Sequence, residues 1–198
     1  MKVVAELWTG YADAINTALR DTIVTDGTGA VVPVQDAFAR WVTMTHDVQE
    51  RDAQLFIIGN GGSSAMASHM VTDAVVIARL RANALNDPTM LTATGNDFSF
   101  DETFATQLER LARTGDLVVA VSQSGNSPNI VRAVDVSRAR GVSTVTLSAM
   151  GADNRCRTAG DLNFYVPLAR YGLAQSAHQV ILHYWFDHYM DLHGQGAV

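Results

Sequence analysis

Lysine is almost missing from this chain: Lys2 is the sole example in 198 residues, and every other basic side chain is arginine. Schiff-base catalysis and a lysine-bearing phosphate loop are thereby excluded unless the second residue serves them. Cysteine is equally scarce. Cys156 alone can form no intrachain disulfide and no Cys-x-x-Cys metal knuckle, which fits a reducing compartment. Basic charge is short too, with 14 Lys and Arg against 20 Asp and Glu, for a net charge of −6. Such a chain has no general attraction for polyanions, so neither a nucleic-acid partner nor an anionic membrane surface is expected, and any phosphate must be held locally. No apolar run reaches membrane length, and the N-terminus lacks a basic-then-apolar leader, so a soluble cytoplasmic protein is expected. What is present is core material: 47% hydrophobic against 17% charged residues suits one domain over 1–198.

Leu7, Tyr11, Ile15 and Leu19 recur at four-residue spacing, and after a Gly- and Pro-bearing break from Asp26 to Pro33, so do Phe38, Trp41, Thr45 and Val48. This predicts an N-terminal helical hairpin over 1–51 whose apolar stripe needs cover, by expectation from another subunit. From Gln54 onward, short apolar runs alternate with helical stretches. Strands are expected at Leu55–Ile58, Ala82–Leu85, Leu117–Val121, Val142–Leu147 and Phe164–Val166. Helices are expected near Ser63–Arg79, Phe100–Arg113, Asn129–Arg140 and Leu173–His193. Alternation of this kind predicts an α/β fold with a mostly parallel five-stranded sheet and helices on both faces.

Two strand-to-helix turns suit an anion. Leu55 to Ile58 runs into Gly59-Asn60-Gly61-Gly62-Ser63-Ser64, and Leu117 to Val121 runs into Ser122-Gln123-Ser124-Gly125-Asn126-Ser127-Pro128. Glycines admit close backbone approach, helix starts offer free N–H groups, and hydroxyls add donors, so a phosphate can be bound without lysine. Either turn alone is ordinary turn and capping chemistry; the pair is the signal. The dinucleotide glycine spacing is not met and no Gly-Lys-Ser/Thr follows, which favours a sugar phosphate or similar small anion.

A polar set recurs at helical spacing. His69 and Asp73 stand four apart, as do Gln175, Gln179 and His183, with His178 off that line. Imidazole, carboxylate and amide donors on two helices could ligate zinc, or form an acid/base pair, or merely cap and cross a core. Spacing does not separate these readings. Trp8, Trp41, Trp185 and Cys156 read as packing residues.

Taken in order, Gly59-Asn60-Gly61-Gly62-Ser63, Gly95-Asn96-Asp97-Phe98 and Ser122-Gln123-Ser124-Gly125-Asn126-Ser127 resemble the sugar isomerase (SIS) domain family, and within it the phosphoheptose isomerases. The resemblance spans nearly the whole chain, helical N-terminus included. It implies a three-layer αβα sandwich of flavodoxin-like type. It also implies aldose–ketose isomerisation of a phosphorylated sugar through an enediol, by a homotetramer with active sites at subunit junctions. Ser63, Ser122, Ser124 and Ser127 correspond to its phosphate-binding serines, with Asn60, Gly61, Gly62, Asn96, Asp97, Gln123 and Gln175 completing the substrate site. Asp97 would position a sugar hydroxyl or a catalytic neighbour. His69, Asp73, Gln175 and His183 correspond to zinc ligands, one ion per subunit, and Asp73 with His183 to the catalytic acid/base pair.

The chain departs from the family pattern in telling places. Gln123 replaces a threonine, and Asp73 replaces a glutamate, which withdraws the carboxylate by about 1.5 Å. Leu173-Ala174-Gln175-Ser176 stands where Arg-Ile-Gln-Glu is usual, Ile77 stands in place of an arginine, and the stretch from Arg79 to Leu85 is short. Two alternatives follow: a non-catalytic phosphosugar-binding protein with a regulatory or partner-binding role, or an isomerase of a different ketose phosphate.

Overall fold

The computed structural model describes residues 8–194, so Lys2 and Leu7 lie outside the described residues. Its centre is a run of parallel strands: β3 (Gln54–Gly59), β4 (Arg81–Asn83), β5 (Leu117–Ser122), β6 (Ser143–Ser148) and β7 (Leu162–Tyr165). Apolar residues fill both faces of the central strands β3 and β5, because helices cover both. Leu55, Ile57, Leu117 and Val119 point into one core layer with α2 (Val34–Glu50), α3 (Gly62–Val76) and α7 (Tyr171–His193). Phe56, Ile58, Val118 and Ala120 point into the other, against α5 (Ala105–Leu111) and α6 (Pro128–Ala139). The αβα layering expected from the sequence is therefore present.

Among the described residues the sheet has seven strands, two more than expected, in the order β2-β1-β7-β6-β5-β3-β4. The extra pair, β1 (Ile23–Asp26) and β2 (Val31–Val32), comes from the predicted break in the N-terminal helical hairpin. A β-hairpin thus interrupts the segment 1–51. Its turn is made by Asp26, whose Oδ1 accepts from Thr28 N, Thr28 Oγ1 and Ala30 N. β1 runs antiparallel to β7 and covers what would otherwise be an open edge of unpaired backbone groups.

The apolar stripe of α2 is satisfied within the chain. Phe38, Trp41, Thr45 and Val48 are buried, and Trp41 stacks on Trp185 of α7 with ring centroids 4.5 Å apart. The helix α1 (Trp8–Arg20) buries only Ala18 completely and leaves Trp8 80% exposed, so Trp8 is not the packing residue expected. Cys156, Trp41 and Trp185 are buried as expected. A further helix, α4 (Pro88–Asp97), was not expected; Asp87 starts it by accepting from Thr89 N and Met90 N, with Pro88 at the first helical position. The helix expected over Phe100–Arg113 is a 3-10 turn (Phe100–Glu102) followed by α5.

Candidate active site

From β3 the chain passes through α3 to β4 on one side, then crosses back to β5 on the other, so the strand order reverses between β3 and β5. Such switch points open a crevice at the carboxyl ends of the strands, where open α/β sheets bind ligands. Both expected turns lie there. They frame a small cavity of about 100 Å³ lined by Asn60, Ser63, Ser122, Gln123, Ser124 and Ser127, with Met150 and Tyr171 at its wall. The N-termini of α3 and α6 meet at this cavity, bringing first-turn N–H groups and the positive ends of two helix dipoles.

The geometry needs glycine at Gly59. A Cβ there would sit 2.5 Å from Ser63 Cβ, which real structures do not tolerate, so α3 could not start so close to β3. Gly125 is constrained doubly: its φ is +64°, and a Cβ would collide with the Asn154 side chain. Two polar struts tie one turn to the other. Asn60 and Asn129 exchange amide hydrogen bonds of 2.8 and 2.9 Å, and Ser63 Oγ donates to Gln123 Oε1 at 2.9 Å. Ser122 Oγ donates to Ser127 Oγ at 3.2 Å, and Asn126 N donates to Ser124 Oγ at 3.2 Å. Asn129, Met150 and Tyr171 escaped sequence reasoning. Asn129 had a signal, as the first residue after Ser127-Pro128, whereas Met150 and Tyr171 reach the cavity only through tertiary placement.

One helical turn and more beyond Ser63, the same α3 carries His69 and Asp73, facing α7. His69 Nε2 lies 3.4 Å from Asp73 Oδ2, and the His69 and His183 rings stand edge to face with centroids 5.1 Å apart. Gln175 and His183 line one open cavity of about 420 Å³ with Met66 and Gln179. Gln175 also packs directly on Gly62, where a Cβ would collide with its amide, so α7 meets the mouth of the first turn. Gln179 faces inward, donating to Met70 Sδ at 3.6 Å. His178 is fully buried beneath them, its Nε2 3.1 Å from Ser148 O, and burial pushes its pKa down to about 4. It is a neutral core residue.

The nitrogen and oxygen donors of His69, Asp73, Gln175 and His183 suit zinc in type. Two ligands of a tetrahedral zinc at ordinary bond lengths stand about 3.3 Å apart. The His69–Asp73 spacing matches that. Among the described residues no three His, Cys, Asp or Glu side chains converge as a closed ligand group, so the match rests on this pair with His183 beside it. Asn96 and Asp97 are not brought to either cavity: they lie exposed at the end of α4, with Asn96 Nδ2 donating to Asp97 Oδ1 at 2.9 Å.

The sequence profile of the SIS domain matches residues 28–149. The chain is 36% identical over 149 residues to a phosphoheptose isomerase of Citrifermentans bemidjiense, covering 72% of this chain and 77% of that one. It is 39% identical over 137 residues to a phosphoheptose isomerase of Pelobacter propionicus, covering 66% and 71%. Among solved structures, the phosphoheptose isomerase of Neisseria gonorrhoeae aligns with a TM-score of 0.77 at 28% identity, over 92% of this chain and 94% of that one. A phosphoheptose isomerase of Francisella tularensis gives the same TM-score at 24% identity, over 91% and 95%, and bears on the fold alone.

Proposed function

The chain belongs to the SIS domain family, and from that premise we propose that it is an aldose–ketose isomerase converting sedoheptulose 7-phosphate to a heptose 7-phosphate through an enediol. The observation that carries the reading is the joining of two sites by one helix. Alpha-helix α3 starts at the hydroxyl-lined cavity and carries His69 and Asp73 further along its length. His69 stands six residues beyond Ser63, about 9 Å along the helix axis. A long phosphosugar needs this separation, because its phosphate is at one end and its reacting carbonyl carbons are at the other.

In this reading Ser122, Ser124 and Ser127, with the N-termini of α3 and α6, hold the phosphate and so fix which carbons reach the helices. Asp73 and His183 form the acid/base pair: one removes the proton from the carbon beside the carbonyl, the other protonates the oxygen or the neighbouring carbon. The carboxylate of Asp73 is one methylene shorter than the glutamate usual in the family, and it lies 3.4 Å from His69 Nε2. His69, Asp73, Gln175 and His183 would hold a zinc ion, which supplies Lewis-acid polarisation of the substrate carbonyl when bound. We also place the protein in the cytoplasm as a homotetramer with sites at subunit junctions. No helix among the described residues is long and apolar enough to cross a membrane.

The test is proton NMR of the purified protein with sedoheptulose 7-phosphate in deuterated buffer, with and without zinc. The expected outcome is aldose phosphate carrying deuterium beside the carbonyl. The Asp73 replacement favours one second reading, a phosphosugar-binding protein without turnover; saturable binding with neither product nor exchange would establish that one instead.

A further inference from the structure

The cavity of about 420 Å³ between α3 and α7 is lined by one polar side chain that neither zinc ligation nor proton transfer employs. Of its other lining residues, Met66 and Val180 are apolar and Gly172 has no side chain. Ser176 donates its single proton to Gly172 O at 2.9 Å, within its own helix. Gln175 and His183 belong to the set already assigned to the reacting end. Gln179 is left, the middle of the three polar residues that α7 sets at four-residue steps.

Gln179 is half-buried, and its one hydrogen bond among the described residues runs from Nε2 to Met70 Sδ at 3.6 Å. A thioether sulfur is a weak acceptor, so an alcohol oxygen arriving in the cavity is a better partner for an amide N–H. The second N–H and the Oε1 lone pairs are unengaged. A carboxamide sets a donor and an acceptor side by side, which complements two vicinal hydroxyls, one accepting and one donating. Its place suits the same kind of ligand. Gln175 packs on Gly62 at the mouth of the first turn, and His183 stands edge to face with His69. Gln179 lies about 6 Å along the helix axis from each of them, between the anion cavity and the reacting end.

We propose that Gln179 is a specificity-determining residue that reads a pair of vicinal hydroxyls in the middle of a polyol chain, between the phosphate and the carbonyl. The ligand class is a phosphorylated sugar with hydroxyls on consecutive carbons between its two ends. The inference rests on the phosphosugar reading of the site and adds the residue that recognises the sugar's own chain.

The experiment is calorimetric titration of the purified protein with sedoheptulose 7-phosphate and, separately, with inorganic phosphate, alongside the melting temperature of each variant. Gln179→Met keeps the length of the side chain and removes the amide. It should weaken binding of the sugar phosphate about tenfold and of inorganic phosphate by less than about twofold. Gln179→Ala should show the same split. Met70→Leu conserves core volume and removes the sulfur, and it should change neither affinity by more than about threefold. A merely structural Gln179–Met70 contact would instead give the same loss from either side. Sugar-phosphate affinity unchanged in both Gln179 variants overturns the proposal, as does an equal loss for both ligands or a Met70→Leu loss matching that of Gln179→Met. Each of these leaves the isomerase reading intact. A wild-type protein that binds sedoheptulose 7-phosphate no more tightly than inorganic phosphate overturns both.

Discussion

His178 illustrates how one residue sets a pH limit without taking part in chemistry. It is fully buried, charging it would strip the imidazolium of water, and burial therefore moves its pKa from 6.5 down to about 4, against the smaller raising effect of its bond to Ser148 O. The unfolded chain takes up this proton below about pH 6.5, whereas the folded chain resists until about pH 4. Stability is thus complete above pH 6.5 and falls as the pH drops toward 4, by up to about 3 kcal/mol from this group. Replacing His178 by Gln should flatten that part of the profile in urea unfolding series at stepped pH; a profile identical to wild type would show that other groups cause it. At Asp73 the expectation is kinetic. Asp73→Asn should lower kcat by about 10²- to 10⁴-fold with little change in phosphosugar affinity, since the cavity proposed for the phosphate lies at the other end of α3. A variant that turns over normally would remove Asp73 from proton transfer.

At the scale of elements, α2 and α7 are joined by Trp41, Trp185 and Thr45. The two indoles stack at 4.5 Å, and Trp185 Nε1 donates to Thr45 Oγ1 at 3.0 Å, whereas Trp41 Nε1 is buried with no hydrogen-bond partner among the described residues. Trp185→Ala should cost about 3–5 kcal/mol in denaturant unfolding, through the cavity it leaves. Because α7 also carries Gln175 and His183, the same change should loosen the site. A loss well below 1 kcal/mol would mean that α7 is not anchored there. The parallel strands and the helices other than α4 were legible in the sequence for a plain reason: residues such as Leu55 to Ile58 form unbroken apolar runs, and Phe38, Trp41, Thr45 and Val48 keep helical spacing. The hairpin β1–β2 was not legible, because its strands have four and two residues. Nothing in Ile23–Asp26 announces that it pairs with β7, more than 130 positions along the chain.

The whole molecule poses the question of assembly. Its acidic surface, with a net charge of −6, gives no help in gathering an anionic substrate, so capture depends on the local donors of the cavity. Exposed apolar side chains cluster along α3 and its end, at Val75, Val76 and Ile77, and around α4, at Met90, Phe98 and Phe100. This pattern supports burial in an oligomer. Light scattering at micromolar concentration should return about four times the 21.3 kDa chain mass, and a monomer at that concentration would count against sites shared between subunits.

Sequence alone determined the layered α/β architecture, the two hydroxyl-rich turns and the helical spacing of His69 with Asp73 and of Gln175 with His183, because each of these is written in local periodicity or in turn chemistry. Only the tertiary structure decided that the two turns meet at one switch point, that Ser63 spends its proton on Gln123, and that Asn96 and Asp97 stand apart from both cavities. Those outcomes depend on contacts between residues tens of positions apart, such as Ser63 with Gln123 and Asn60 with Asn129, which no local pattern encodes.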